Sequence, residues 1–375
     1  MFSADDHRFM QSALDLAKRG LYTTTPNPRV GAVLVRDGEV IGSGFTQPAG
    51  FAHAEVAAIE DARKNGHDPR GSSAYVTLEP CSHFGKTPPC ALALIDAGIS
   101  RVIAAMEDPN PLVRGQGFDV LRNAGIEVRC GLLEAEARAL NLGFVSRMIR
   151  NRPWVRVKAA ASLDGRVALS NGASRWITSE DARRDGHAWR ARACAVLTGI
   201  GTVRADDPML DVRLVETTRQ PPRVILDSRL EIGLESKLVQ TAKSGSQVTV
   251  FTTSSDPVKT AELGARGCEV VQIDAVAGKI DLAALLLALG ERQINEVHVE
   301  AGARLNGALI SAGLVDELLL YMAPCLIGPG DPIAVLPSLE RLADRCVLEL
   351  VDLEQIGHDI RIVARLGDLA WLKDK

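Results

Sequence analysis

The sequence predicts two consecutive α/β domains, and three observations carry that reading. The chain has 375 residues, against roughly 100–200 for an ordinary domain. Short β-branched apolar runs alternate with amphipathic helical segments twice over, the pattern of layered α/β folds. Between the two series lies "IRNRPWVRVKAAASLDG", a basic, proline-containing stretch that follows a helix and feeds a new strand. The seam places the boundary near residue 147, giving domains 1–146 and 147–375.

In the first domain, residues 5–20 read as an amphipathic helix ending at Gly20. "RVGAVLVRDGEVIGSGF" reads as two strands around an Asp37-Gly38 turn. "HAEVAAIEDARKNG" is a helix closed by Gly66, "SAYVTLEP" a strand, and "CALALIDAG" a helix closed by Gly98. A strand at 101–106, a helix near 116–124 and a strand at "IEVRC" complete it. Beyond the seam, strands are expected near 154–161, 194–199, 223–227, 248–252, 269–273 and 295–300, with helices between them. "DELLLYMAP" and "HDIRIVARL" read as two closing strands. No internal repeat or low-complexity tract interrupts the chain.

Hydrophobic residues at 46% and charged residues at 24% suit a globular protein with a proper core. Lys+Arg number 43 against 47 Asp+Glu, a net charge of −4, which leaves no electrostatic footprint for nucleic acid or an anionic membrane. The opening "MFSADDHRFM" carries acids where a signal peptide needs a basic start. The longest apolar stretch, around "LAALLLALG", is far short of a spanning helix. Seven cysteines are an odd number, spread along the chain, so a disulfide framework is not expected and a reducing cytoplasm is. A small-molecule substrate fits this profile; homo-oligomerisation is left open.

Chemistry concentrates at "EPCSHFGKTPPC", residues 79–90. Taken alone, Cys81 and Cys90 admit a disulfide, a metal site or two packed thiols, and a lone "HAE" is incidental. Taken together they say more. His53 and Glu55 stand at the start of a helix, Cys81 follows a strand, and Cys90 opens the next helix behind Pro88-Pro89. Strand-to-helix turns of one open sheet share a crevice, which would bring His53, Cys81 and Cys90 together. One imidazole and two thiolates suit zinc, and three protein ligands leave a fourth position for water. The free amides ahead of Cys90 favour its thiolate. Two thiolates cancel the charge of Zn²⁺, so a base is needed beside the ion, and Glu55 is the candidate to take a proton from water and return it to a leaving amine. Zinc deaminases as a class carry H-x-E followed by P-C-x-x-C; here eight residues separate the cysteines. Cys130, Cys194, Cys268, Cys325 and Cys346 lie among apolar neighbours in sequence and are expected only to pack.

In the second half, "LTGIGTVRADDPML" offers Gly199 and Gly201 after a strand, but Arg204 stands where a dinucleotide fingerprint needs its third glycine. "VEAGARLNGALI" is a strand, small residues and a helix start, which serves either as an anion site or as an ordinary tight turn. Lys158, Asp164, Arg190, Asp206, Arg213 and Glu300 stand at strand ends or adjoining loops, each by itself a surface charge.

"TTPNPRVGAVLV", "HAEVAAI", "YVTLEPCSHFGKTPPC" and "EDPNPLVRGQGFDVLRNAGIEV" resemble the deaminase half of the bifunctional riboflavin-biosynthesis deaminase–reductase family. "VKAAASLDGRVA", "SRWITS", "RADDPMLDVR" and "VEAGARLNGAL" resemble its reductase half, so the likeness spans nearly the whole chain and is weakest at 228–290. The resemblance implies a cytidine-deaminase-like three-layer domain followed by a dihydrofolate-reductase-like domain. In that family the longer loop between the two cysteines holds the substrate, a pyrimidine carrying a ribose phosphate. It implies one zinc per chain on His53, Cys81 and Cys90, with Glu55 catalytic. Asn27 would hold the pyrimidine, and His83 and Lys86 its polar and phosphate groups. NADPH would lie along Ala160, Trp176, Thr202, Asp206, Ser228 and the Gly302–Ala308 turn, that is Gly302, Ala303, Arg304, Leu305, Asn306, Gly307 and Ala308. Ser174, Arg190, Leu210, Arg213 and Glu300 would hold the phosphorylated substrate, and Lys158 would polarise its reacting group. Arginine suits this task because a guanidinium matches phosphate bidentately. Thr46 and Ala57 stand where the family often has histidine. The first removes an expected substrate contact and the second alters packing. A nucleoside or tRNA deaminase fused to an unrelated reductase is the nearest alternative, and the chain lacks the basic-aromatic stripe that RNA would need. A zinc-stabilised binding protein is the non-enzymatic one.

Overall fold

The computed structural model describes residues 1–85, 88–367 and 371. It separates into two compact units, Met1–Asn151 and Arg152–Lys375.

The first unit runs α1 (Ala4–Arg19), β1 (Gly31–Arg36), β2 (Glu39–Phe45), α2 (Ala54–Lys64), β3 (Ser73–Val76), α3 (Cys90–Asp96), β4 (Arg101–Ala104), α4 (Gln116–Asn123), β5 (Glu127–Cys130), α5 (Glu134–Leu140) and α6 (Leu142–Arg150). Its sheet has the order β2-β1-β3-β4-β5. β1 is antiparallel to both neighbours, and β3, β4 and β5 are parallel. Asp37 and Gly38 both take positive φ, 51° and 81°, the two-residue hairpin geometry that matches strand twist. Ser3 caps α1 in a reciprocal box with Asp6.

Helices lie hard against this sheet because β1 and β2 carry glycine where they cross. A methyl built on Gly31 would stand 1.8 Å from the Ala13 carbonyl oxygen of α1, and one on Gly44 would stand 2.4 Å from that of Ala54 in α2. The second approach matters most, since Ala54 follows His53, the residue that caps α2.

The second unit runs β6 (Trp154–Ser162), β7 (Arg166–Leu169), α7 (Glu180–Arg192), β8 (Ala195–Gly199), α8 (Ile200–Asp206), β9 (Arg223–Leu226), α9 (Lys237–Gln240), β10 (Val248–Thr252), α10 (Pro257–Ala265), β11 (Cys268–Gln272), β12 (Ala275–Val276), β13 (Lys279–Ile280), α11 (Leu282–Glu291), β14 (Glu296–Val299), α12 (Ala303–Ser311), β15 (Glu317–Ala323), β16 (Gly330–Pro332), β17 (Leu348–Ile356) and β18 (Asp359–Leu366). Nine strands form one sheet in the order β11-β10-β9-β8-β14-β6-β15-β18-β17. Its strands are parallel from β11 to β15, and β18 and β17 add an antiparallel edge. Both faces are covered, as parallel strands require. Leu197, Val224 and Phe251 bury on one side with Leu285 and Leu309. Their neighbours Val196, Ile225 and Val250 bury on the other with Leu238 and Leu263.

β17 was not expected from the sequence. Its register against β18 shifts between Leu350 and Asp352, and that irregularity breaks the period-two alternation by which a strand is recognised. Two of the five cysteines expected to pack do not: Cys325 and Cys346 are exposed, lying in loops at the surface rather than under the core.

The Gly31 crossing can be tested. Gly31→Ala forces backbone apart in a packed layer and should destabilise the first unit by about 1–3 kcal/mol or more. A urea midpoint equal to wild type would contradict the close α1–β1 approach.

Candidate active sites

The first site is assembled at the sheet edge where α2 and α3 begin. His53 is the cap of α2, in extended backbone conformation, and Glu55 lies in the first turn, 4% exposed. Cys81 follows β3, and Cys90 is the first residue of α3. The His53 Nδ1 atom lies 3.7 Å from the Cys81 sulfur and 3.3 Å from the Cys90 sulfur. The Cys90 backbone N–H donates to the Cys81 sulfur at 3.3 Å. All cysteines are free thiols, which removes the disulfide alternative for this pair. The three ligand atoms lie within 4.8 Å of one another.

The electrostatics of this cluster are those of donors awaiting a cation. Donation from the Cys90 thiol, then from His53, holds the Cys81 thiol down to about 4. Cys90 is pushed far up, first by its bond to Cys81 and then by burial. Two sulfurs this close share one proton unless a cation stands between them. Burial first, and the Cys81 charge second, push the Glu55 carboxyl up to about 7. An imidazole nitrogen and two sulfurs with a buried carboxylate beside them fit a zinc ion of the catalytic kind.

A brace that the sequence did not reveal sits behind Cys81. The Glu79 carboxylate accepts the backbone N–H groups of Asp108, Gly115 and Gly117 at 3.0, 3.0 and 2.9 Å. It ties the loop after β4 to the turn that carries the ligand. Asp108 faces the same region, and burial pushes its carboxyl up to about 6. Both acids lie in the quoted motifs, but nothing in a string of letters separates a brace from a surface acid.

The remaining deaminase expectations lie outside this three-residue cluster. Asn27 is half-buried in the loop before β1, its N–H on the Thr24 carbonyl. His83 is exposed and faces Asp108 electrostatically. Lys86 lies outside the described residues. Thr46 is buried, with its hydroxyl toward the Val30 carbonyl at 3.5 Å.

The second site is a cavity of about 290 Å³ between α7 and the sheet, lined by Lys158, Trp176, His187, Arg190, Arg213, Glu300 and Tyr321 among others. Five of these, Lys158, Trp176, Arg190, Arg213 and Glu300, were expected from the sequence; Ser174 and Leu210 are not among the lining residues. The expectation of surface charges is corrected here. Arg190 sits on α7 and not at a strand end, and it grips Glu300 bidentately at 2.7 and 2.9 Å. Burial opposes the Glu300 charge, yet Arg190 and then Lys158 hold its carboxyl well below the usual range. Burial lowers the Lys158 ammonium. Asp164 belongs elsewhere: it accepts the N–H groups of Ile327 and Gly328 at 3.1 and 2.8 Å and locks a loop.

Glu300 continues a charged ladder along β14. Glu296 pairs with Arg156 at 3.1 Å and Arg192 at 3.2 Å, and Arg156 also pairs with Glu317. Between them His298 is fully buried; among the described residues neither ring nitrogen makes a hydrogen bond, with Nε2 3.5 Å from the Glu300 carboxylate, and burial holds its pKa down to about 3.

The expected cofactor residues fall into separate groups. Gly302 caps α12, and a methyl on it would lie 4.0 Å from the Thr202 hydroxyl of α8. Two helix amino ends thus meet beyond the adjacent strands β8 and β14. Residues 303–308 are helix rather than turn, because they continue into α12. Arg304 and Ala308 are exposed, and Ala303 and Leu305 are half-buried. Asn306 and Gly307 face inward. The Asn306 amide donates to the carbonyls of Ala301 and Ile333 at 3.2 and 3.0 Å. A methyl on Gly307 would stand 1.9 Å from the Val335 carbonyl oxygen. Asp206 ends α8 and meets Arg175 at 3.4 Å. Ala160 lies on β6, paired with Tyr321. Ser228 follows β9, its carbonyl taking the Thr253 hydroxyl at 2.9 Å.

The fold and the two sites together define a zinc-binding deaminase unit joined to a reductase unit. Residues 3–106 match the family of the cytidine and deoxycytidylate deaminase zinc-binding region, and residues 153–362 match the RibD C-terminal domain. Riboflavin biosynthesis protein RibD of Haemophilus influenzae is 48% identical, covering 96% of this chain and 97% of its own. Its Escherichia coli counterpart is 44% identical, covering 95% and 98%. The structure of Acinetobacter baumannii RibD superposes with a TM-score of 0.88 at 42% identity, covering 97% of this chain and 99% of its own. A Thermotoga maritima structure, described as a diaminohydroxyphosphoribosylaminopyrimidine deaminase/5-amino-6-(5-phosphoribosylamino)uracil reductase, gives 0.85 at 36% identity, covering 97% and 99%.

The chain belongs to the RibD family and is a bifunctional enzyme of riboflavin biosynthesis, with a deamination and a reduction. This removes the alternatives of an unrelated fusion and of a non-enzymatic zinc protein. Among the described residues no helix is long and apolar enough to cross a membrane.

His298 gives a prediction about pH. Its folded pKa lies below the ordinary 6.5, so the unfolded chain binds more protons between those values. The neutral burial therefore stabilises above pH 6.5 and that contribution is lost as pH falls toward 3. His298→Phe should flatten the fall in stability across this window, followed by denaturant unfolding. Identical slopes in both proteins would mean that the ring is already charged in the native state.

Proposed function

We propose that residues 1–146 carry out hydrolytic deamination of 2,5-diamino-6-ribosylamino-4(3H)-pyrimidinone 5′-phosphate, and that residues 147–375 then reduce the ribosyl group of its product to a ribityl chain with NADPH. The observation that supports this best is the donor set of His53, Cys81 and Cys90 with Glu55 buried beside it. We place the enzyme in the cytoplasm, in keeping with its unpaired cysteines.

One zinc per chain would be held by His53, Cys81 and Cys90, and it supplies Lewis acidity at its open position. Glu55 does the proton work. Its carboxyl takes a proton from the attacking water and hands it to the departing amine, so that water is consumed and ammonia released. Burial at this position raises the Glu55 carboxyl above an ordinary carboxylate, the direction that a group accepting and returning a proton needs. Asn27 holds the pyrimidine, and His83 with Lys86 meets its polar and phosphate groups.

NADPH would lie against Ala160, Trp176, Thr202, Asp206, Ser228 and the amino end of α12 from Gly302 to Ala308, and it supplies a hydride. The open-chain ribosylamine presents a C=N bond whose carbon gains that hydride and whose nitrogen gains a proton. Glu300, fixed by Arg190, orients the substrate, with Ser174, Leu210 and Arg213 as further contacts. Lys158 stands beside Glu300 and polarises the reacting bond. Alignment is the protein's contribution to this step.

The test supplies the purified chain with the diaminopyrimidine phosphate and follows ammonia release and NADPH oxidation, with and without a chelator. Chelation should stop the first and leave reduction of pre-deaminated substrate running. Glu55→Gln should retain zinc, lose ammonia release by about 10²-fold or more, and still reduce the deaminated compound. Wild-type ammonia release from that variant would show that Glu55 is not the base.

A further inference from the structure

We infer that Glu79 is a positioning residue for the metal: by capping α4 from the turn that carries Cys81, it fixes where the Cys81 sulfur stands and so sets how firmly the donor set holds zinc. The inference rests on the reading that His53, Cys81 and Cys90 bind that ion.

α4 cannot close its own amino end. Its N-cap is Gly115, at φ 79° in the left-handed region, a residue with no side chain to accept a hydrogen bond. The first N–H groups of a helix have no partner within it and need an acceptor from elsewhere. Glu79, 4% exposed, supplies one. Its Oε2 accepts the Asp108 and Gly115 N–H groups and its Oε1 accepts that of Gly117. Among the described residues no lysine or arginine pairs with it. Its charge is met by backbone amides and by the positive end of the helix.

The same contact grips the turn that bears the ligand. Pro80 stands between Glu79 and Cys81, and a methyl on Gly117 would lie 1.9 Å from the Pro80 carbonyl oxygen. The peptide leading into Cys81 is thus pressed onto the start of α4, beside the Glu79 hydrogen bonds. From the other side, the Cys81 carbonyl accepts the Ala91 N–H at 3.2 Å and its sulfur accepts the Cys90 N–H at 3.3 Å. Cys81 is therefore held by α4 upstream and by α3 downstream. Glu79 makes no hydrogen bond to a ligand atom, so it acts through the backbone. A donor fixed before the ion arrives gives up less freedom on binding it.

The experiment uses the full chain loaded with zinc and follows its release to a chromogenic chelator under native conditions. A cobalt-substituted sample reports the cobalt–thiolate absorption. Glu79→Gln keeps the shape but sets an amide N–H against a backbone N–H. It should speed zinc release about tenfold to a hundredfold and shift the cobalt–thiolate bands. Ser3→Ala removes the cap of α1, a comparable loss far along the chain from the ligands, and should release zinc at the wild-type rate. If Glu79→Gln does not fold, Glu79→Asp decides, since it keeps the charge and draws it back by one carbon. Wild-type release with unchanged bands would overturn the inference. So would equal acceleration in Ser3→Ala, because Glu79 would then serve only the stability of the unit. A wild-type chain that retains no zinc would remove the reading of the donor set, and the inference with it.

Discussion

Glu300 leaves the end of β14 with its carboxylate mostly buried at the cavity wall, and Arg190 reaches down from α7 to grip both oxygens. That contact fixes one wall of the cavity beside α7. A lone carboxylate at this depth would take up a proton, and Lys158 beside it would lose one, because burial disfavours both charges. Paired, the acid keeps its charge and the lysine keeps a counter-charge nearby. The first unit meets the same demand with different chemistry. Two sulfurs and a carboxylate converge on His53. There a divalent cation would take the part that the guanidinium takes in the other half.

Strand topology explains how such groupings arise. Cys81, Glu300 and Gly302 all follow the carboxyl ends of parallel strands, where open α/β sheets collect their ligands. His53 reaches the same place by another route. It opens a helix seated directly on β2 through Gly44, so its position is set by a close backbone crossing.

Much of this was legible in the letters. The hairpin at Asp37-Gly38, the helices closed by glycine and the runs that became β6, β8, β9, β10 and β14 announced themselves by period and punctuation. β17 did not, since its bulge disrupts the period. The clustering of His53, Cys81 and Cys90 was readable because residue type, order and strand–helix placement coincide. The reductase pocket was readable only in part. Arg190 and Glu300 look like solvent charges until β14 and α7 are brought together across many intervening residues. His187, which lines the cavity and accepts the Arg213 backbone N–H, has no sequence signature at all. Asn306 and Gly307 also face inward and pack against the 333–335 segment, because a helix has an inner face that a motif does not mark.

The inward side of α12 has a wider implication. With Gly307 pressed onto the Val335 carbonyl and Asn306 bonded to that of Ile333, the helix and the downstream segment are packed backbone to backbone. Sequence drift there is correlated by construction: a bulkier residue at 307 is admissible only when the 333–335 backbone retreats with it. Remodelling of this helix, by natural divergence or in the laboratory, is therefore bounded by residues 333–335, a stretch that supplies none of the side chains expected to touch a cofactor.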